Sequence, residues 1–299
     1  LTFALRATLL RVASGGGKIM SSEFDAWVGR SEVAEDVVTA RQVRQMAATL
    51  GTGGPVPADG ESLPPLWHWM GWLPETPMAG LGPDGHPARG GFLPPVPLER
   101  RMWAGGRLTF HAPLRIGAPM RRTSTILKVS QKAGSTGQMV FVTVGHETEG
   151  PEGLAVSEEQ DIVYVAMPDR FTPPPPVQAP VGATWADPVA MDTVRLFRFS
   201  ALTFNAHRIH FDLPYATEVE KYPGLVVHGP MQAMLLMQAA QAHAGGALPA
   251  RFRFRGVRPM FHFDSVALTG WPMAEGAQAL ATVIGDGLCC MQSEIGWTL

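Results

Sequence analysis

The run Gly229-Pro-Met-Gln-Ala-Met-Leu-Leu-Met-Gln-Ala-Ala-Gln-Ala-His-Ala244 decides the fold. Met231, Met234, Leu235, Gln238 and Ala242 step along one face at helical spacing, and Gly245-Gly246 ends the helix. Strand-like segments follow it: Arg251–Val257, Asp264–Gly270 and Cys289–Thr298, with another near Gln278–Ile284. Just upstream the pattern reads as a strand over Met191–Phe199, an irregular polar stretch over Ser200–Asp212, and a short helix over Pro214–Lys221.

The first part of the chain runs in the same order. Val38, Val43, Met46, Ala47 and Leu50 predict a helix over Val37–Leu50, stopped by Gly51-Thr-Gly-Gly-Pro55. Ser62–Leu73 places three tryptophans after Pro64-Pro65 and reads as a short, deeply buried helix. Pro74–Pro97 is loop-like. Strands are expected over Leu108–His111, Thr123–Val129, Met139–Thr148 and Asp161–Met167. Pro168–Pro188, with four prolines at 173–176, reads as an extended, semi-rigid linker. The expectation is therefore an α+β protein made of a duplicated unit. One copy covers residues 23–167, the linker 168–188, and the second copy 189–299.

Composition narrows the function classes. Of 299 residues, 45% are hydrophobic and 17% charged, enough apolar material for a packed core. The 24 basic and 26 acidic side chains nearly cancel, which argues against a nucleic-acid footprint. No apolar run reaches the ~20 residues of a membrane span. Cys289 and Cys290 are adjacent, so no disulfide framework is expected and a reducing compartment fits. Leu1–Ile19 carries Arg6, Arg11 and Lys18 and no acid, as a transit peptide does, whereas Met20-Ser-Ser-Glu-Phe24 resembles an ordinary cytosolic start. The reading adopted is a cytoplasmic protein whose residues 1–22 are a disordered or adventitious extension.

Chemistry is concentrated in Phe204-Asn-Ala-His-Arg-Ile-His-Phe-Asp212 and in Tyr222-Pro-Gly-Leu-Val-Val-His-Gly-Pro230. A polar loop there meets a helix N-terminus, whose free N–H groups can polarise a carbonyl oxygen and favour developing negative charge. An imidazole beside it can shuttle a proton near neutral pH.

This arrangement resembles the motif of MaoC-like hydratases, S-G-D-x-N-P-L-H followed later by a His-Gly pair. It resembles most the mesaconyl- or itaconyl-CoA hydratase branch of the type two 3-hydroxyacyl-thioester dehydratases. The resemblance extends to Leu63-Pro-Pro-Leu-Trp-His-Trp69, Asp84-Gly-His-Pro87, Gly91-Phe-Leu-Pro-Pro95 and Arg101-Met-Trp-Ala-Gly-Gly106. It implies a double hot-dog fold, two antiparallel sheets each wrapped around a central helix. It also implies an enzyme that adds water to an enoyl thioester, without metal or cofactor. The motif's catalytic His falls on His210, its catalytic Asp on Asn205, its Asn on His207, and its His-Gly pair on His228 and Gly229.

Asn205 departs from the pattern, because an amide orients water but is no base. His210 is then expected to move the proton, and Asp212 is either a replacement carboxylate or a helix cap. The first half lacks an equivalent N-x-x-R-I-H run and is expected to shape the acyl pocket only. His228 is expected to shape the turn before the helix rather than to react. His207 and Arg208 are candidate substrate or CoA ligands, and Arg208 is read either as a fork for a CoA phosphate or substrate carboxylate, or as a structural salt bridge. Arg253 and Arg255, in the alternating run from Arg251 to Arg258, are either a solvated strand face or a path for the CoA phosphates. Trp67, Trp69 and Trp72 are core residues that can also line the acyl pocket. His68, His86, His111 and His262 show no metal-ligand spacing.

The best substrate guess is itaconyl- or mesaconyl-CoA, giving citramalyl-CoA. A 3-hydroxyacyl-thioester dehydratase, a hot-dog thioesterase and a non-catalytic acyl-binding module are the alternatives. The helix after Gly229 lacks the Asp or Glu that a thioesterase would want. Acyl-CoA is the expected partner, to the exclusion of nucleic acid and membrane. Edge pairing of two hot-dog units within one chain makes a monomer self-sufficient and leaves a homodimer open.

Overall fold

The computed structural model describes residues 24–51, 53–134 and 137–297. The expected extension, residues 1–22, lies outside them. Among the described residues ten strands form one continuous antiparallel sheet: β1 (Ser31–Asp36), β2 (Arg100–Phe110), β3 (Met120–Gly134), β4 (Gly137–Gly150), β5 (Gly153–Val165), β6 (Trp185–Val189), β7 (Arg251–Gly256), β8 (Val266–Gly270), β9 (Ala277–Ile284) and β10 (Leu288–Gly296). Their spatial order is β1-β3-β4-β5-β2-β7-β10-β9-β8-β6, so β1 and β6 end the sheet. Read inward from either end, each half has the same connectivity. The expectation of two sheets is corrected in one respect: they fuse through β2 and β7, from Gly105 opposite Arg255 to Thr109 opposite Arg251. Gly105 and Gly106 make this seam close, since a Cβ at Gly106 would lie 2.9 Å from the Phe254 ring.

Among the described residues three α-helices accompany the sheet: α1 (Ala40–Leu50), α2 (Thr193–Leu202) and α3 (Gly229–His243). Helix α1 starts later than expected because Thr39 and Gln42 form a reciprocal capping box, and it ends at Gly51 in the left-handed conformation. Helix α3 packs against β8, β9, β10 and β2. Burial takes in Met231–Met237 without interruption, including Gln232, so the helix is enclosed nearly all round rather than along one stripe.

Helix α2 corrects the strand expected over Met191–Phe199. Its β-branched and aromatic composition suggested a strand, but the buried residues Leu196, Phe199 and Ser200 recur at helical spacing. Asp192 caps the first turn by accepting the Arg195 N–H at 2.8 Å. The buried tryptophan segment makes only one 3-10 turn, Trp67–Met70. Pro214–Lys221 forms a single π-type turn, Tyr215–Val219. Strand β1 was not foreseen; its alternation is masked by Glu32, Glu35 and Asp36 at the sheet edge.

The largest apolar cluster draws on both halves. It joins Val43, Met46 and Trp67 to Phe199, Met231, Leu235, Phe252 and Phe254. Both cysteines are free and buried. No helix among the described residues is long and apolar enough to cross a membrane.

Candidate active site

The polar loop is built directly on the end of α2. Phe204 takes a left-handed φ of 46°, and Asn205 turns back so that its N–H donates to Ser200 O at 2.8 Å. Asn205 Oδ1 accepts the His207 N–H at 3.0 Å, which opens a 3-10 turn over Arg208–His210. Ile209 O then accepts the Val226 N–H at 2.9 Å, pinning this loop to the segment that leads into α3.

His210 is buried and its tautomer is fixed. Nδ1 lies 2.7 Å from Val226 O, a group that can only accept, so Nδ1 carries the hydrogen and Nε2 keeps its lone pair. The ring stacks on His228 at 3.7 Å and 21°. His228 Nε2 in turn lies 2.9 Å from Ser200 Oγ, which ties α2 to the residue before α3. Burial holds His210 well below the ordinary imidazole pKa, the neighbouring His228 and His207 adding to the effect. Burial likewise takes His228 down to about 3. Both rings are therefore neutral at pH 7. Gly229 opens α3, and its N–H has no acceptor within the helix.

A cavity of about 530 Å³ lies where the two halves meet. Its wall includes Trp69, His86 and Trp103 from the first half and Ser200, Asn205 and Pro230 from the second. His210 is not among the residues of that wall and is 8% exposed. Trp69 is placed by Glu158, whose carboxylate accepts its indole N–H at 3.0 Å. Trp67 lies in the core and does not reach the cavity.

The loop Gly82–Pro87 closes over the site from the first half. Asp84 O accepts the Arg208 N–H at 2.9 Å. Gly85 sits against the Ala206 carbonyl so closely that any Cβ would collide with it. His86 Nδ1 lies 2.9 Å from Asp84 Oδ2, and the His86 ring is 4.2 Å from that of His207. His207 Nε2 is 3.2 Å from Glu220 Oε1, and the other oxygen of Glu220 accepts Arg100 Nε at 3.0 Å. Asp84, His86 and His207 can bring possible metal-ligand atoms within 4.8 Å of one another, which their sequence spacing did not suggest. Burial opposes ionisation of Asp84, but the bonds from His86 prevail and lower its pKa to about 2. Burial lowers His86 to about 4 despite the Asp84 bond.

The expected cations lie outside this cavity and are engaged by other protein groups. Arg208 is occupied by Asp212 Oδ2, at 2.9 Å from Nε and 2.7 Å from Nη2, and by Pro83 O, and its guanidinium lies over the Tyr215 ring. Asp212 is the capping residue rather than a replacement carboxylate, since Oδ1 accepts the Tyr215 N–H at 3.1 Å. Arg253 and Arg255 alternate with the buried Phe252 and Phe254 and project from the opposite face of β7. Arg253 lies 3.3 Å from Glu294 and Arg255 Nη2 donates to Gln292 at 3.2 Å; neither reaches the cavity. Sequence reasoning missed Asp84, His86, Ser200 and Glu220 as members of the site. The Asp-Gly-His turn was visible, but nothing local indicated that it folds onto a loop more than a hundred residues away.

Residues 66–262 match the family model described as hydroxyacyl-thioester dehydratase type 2. The chain is 47% identical over 278 residues to the mesaconyl-C(4)-CoA hydratase of Chloroflexus aurantiacus, covering 89% of this chain and 99% of that protein. It is 25% identical over 264 residues to the mitochondrial hydroxyacyl-thioester dehydratase type 2 of Schizosaccharomyces pombe, covering 77% of this chain and 86% of the relative. Among solved structures, a MaoC-like dehydratase superposes with a TM-score of 0.68 at 13% identity, covering 92% of this chain and all (100%) of that one. A Mycobacterium tuberculosis protein described as having a double hot-dog fold gives 0.54 at 12% identity, with 90% of this chain and 96% of that one covered. These structural likenesses establish a hot-dog, MaoC-like fold.

Proposed function

Because this chain belongs to the hydroxyacyl-thioester dehydratase type 2 family and is a hydro-lyase, we propose that it hydrates mesaconyl-C4-CoA or itaconyl-CoA to citramalyl-CoA. The observation that carries the reading is the cavity between the halves, whose wall joins Asn205 to the first turn of α3, with the neutral His210 ring stacked on His228 just before that helix. Likeness to the Chloroflexus hydratase along nearly its whole length supports the substrate class. We read residues 23–167 and 189–299 as the two hot-dog units, joined by the proline-rich linker, whose last residues already enter β6, the outer strand of the second unit; α3 is the helix packed on that unit's strands.

In this reading the thioester oxygen faces the Gly229 N–H, beside His228. Negative charge that develops there during attack is stabilised by the α3 N-terminus. Water held by Asn205 and His210 bonds to the β-carbon, and the proton it sheds passes through an imidazole to the α-carbon. Sequence reasoning gives that task to His210.

One feature favours a second substrate. Among the described residues lining the cavity there is no lysine or arginine, and Phe197, Phe199, Phe204 and Phe211 make much of the wall apolar. An uncharged 3-hydroxyacyl thioester, dehydrated in fatty-acid metabolism, suits such a wall. Incubation with mesaconyl-, itaconyl- and crotonyl-CoA separates the readings. Loss of the enoyl absorbance fastest with the dicarboxylic substrates is expected. Preference for crotonyl-CoA selects the dehydratase reading, free thiol release indicates a thioesterase, and no change indicates binding alone.

A further inference from the structure

Among the described residues that line the cavity, His86 alone carries a titratable side chain. Its geometry is that of a prepared base. The His86 N–H donates to Asp84 Oδ1 at 3.0 Å while Nδ1 faces Oδ2 at 2.9 Å. An ionised carboxylate only accepts, so Nδ1 carries the hydrogen and Nε2 keeps its lone pair. The opposite half holds this turn in place. Arg208 donates from its backbone to Asp84 O and from Nη1 to Pro83 O at 3.1 Å, and Gly85 is seated on Ala206.

We propose that Asp84 and His86 form a proton-transfer dyad of the active site, with His86 a further catalytic residue and Asp84 its positioning residue. The proposal rests on the hydratase reading and deepens it, by naming the imidazole that moves the proton and giving the first half a chemical role. As the water oxygen bonds to the β-carbon, its proton passes to His86 Nε2, and the double-bond electrons move onto the thioester oxygen. When that enolate collapses, the α-carbon takes the proton from His86. Water has then been added, the imidazole is neutral again, and no co-reactant has been consumed. Asp84 stays ionised throughout and supports the transient imidazolium.

His86→Gln and Asp84→Asn, each checked for an unchanged thermal transition, test this with mesaconyl-C4-CoA and crotonyl-CoA. His86→Gln is expected to lower kcat by about 10²–10⁴-fold with KM within about threefold. Asp84→Asn is expected to lower kcat less and to displace the pH–kcat profile, which a merely structural role would not do. In deuterated water, wash-in of deuterium at the α-carbon of product should slow in parallel with turnover in His86→Gln. Wild-type hydration combined with near-normal kcat and wash-in in folded His86→Gln overturns the dyad and leaves the hydratase reading standing. If His86→Gln does not fold, an unshifted pH profile and normal kcat in Asp84→Asn overturn it. Failure of the wild-type chain to hydrate any enoyl-CoA overturns the parent reading, and the dyad with it.

Discussion

The imidazoles of His210 and His228 lie face to face, 3.7 Å between centroids and 21° from parallel, with both rings buried. Two imidazolium ions could not share that contact without water, so at most one ring carries a proton charge while the stack persists, and burial keeps both neutral at pH 7. The lone pair on His210 Nε2 is thus maintained by packing as well as by the Val226 carbonyl.

Replacing His210 by Ala removes that acceptor. Turnover is expected to fall by about 10²–10⁴-fold with the far-ultraviolet circular dichroism unchanged. Near-normal kcat in the folded variant removes His210 from the mechanism.

The stacked pair also sets an acid limit on stability. In the unfolded chain these histidines titrate near the ordinary value of about 6.5. In the folded protein His86 and His228 titrate at about 4 and about 3, and His210 is also depressed. Between those limits the unfolded state binds more protons, so stability is full above pH ~6.5 and declines as pH falls toward 3. Thermal transitions measured from pH 7.5 to 4 should drop steadily, and His228→Gln should flatten the slope. An unchanged slope in that variant shows that His228 is not buried neutral.

Gly85 tests how the halves meet. It adopts φ 88°, and a Cβ there would strike the Ala206 carbonyl. Gly85→Ala should cost about 1–3 kcal/mol of stability through left-handed strain and displacement of the loop. It should also reduce kcat, because His86 moves with the turn. A thermal transition within a degree of wild type argues against this close approach in solution.

Arg208 separates binding from scaffolding. With its guanidinium committed to Asp212 and Pro83, Arg208→Met should lower the melting temperature by a few degrees and leave KM for mesaconyl-C4-CoA within about twofold. A tenfold rise in KM specific to dicarboxylic substrates restores it as a carboxylate ligand.

Asn205 holds the loop through its Oδ1, which accepts the His207 N–H. Asn205→Asp preserves that acceptor and brings a carboxylate into the cavity wall, whereas Asn205→Ala loses both functions. The expected order of kcat is Asp at or above wild type, then Asn, then Ala at least tenfold lower. Equal rates for all three indicate that residue 205 holds no water.

Helix α3 was legible because a long apolar run ended by two glycines has few other solutions, and eight strands were legible in position, with β2 to β5 longer than expected, whereas β1 and β6 were not expected. Helix α2 was not, since Val194, Phe197 and Phe199 favour strands locally and only burial of Leu196, Phe199 and Ser200 reveals the helical period. At the site, the loop from Asn205 to His210 and the His-Gly turn were visible as a motif. The partners that give them geometry were not. Asp84 and His86 reach the loop through tertiary contacts from the other half of the chain, and Arg100 only through Glu220, and no periodicity records such a contact. Arg208 was ambiguous for a related reason, because its partner Asp212 is four residues away and either role leaves the same local pattern.

The fused sheet has only two open flanks among the described residues, and both are poor templates for growth. On β1 the acidic side chains Glu32, Glu35 and Asp36 would repel a copy of themselves, while β6 has five residues, one of them Pro188, which offers no amide hydrogen. Joining the halves at the middle therefore moves the ladder's exposed rims to places guarded by charge and by an imino acid, and so discourages fibrous stacking of one molecule on the next.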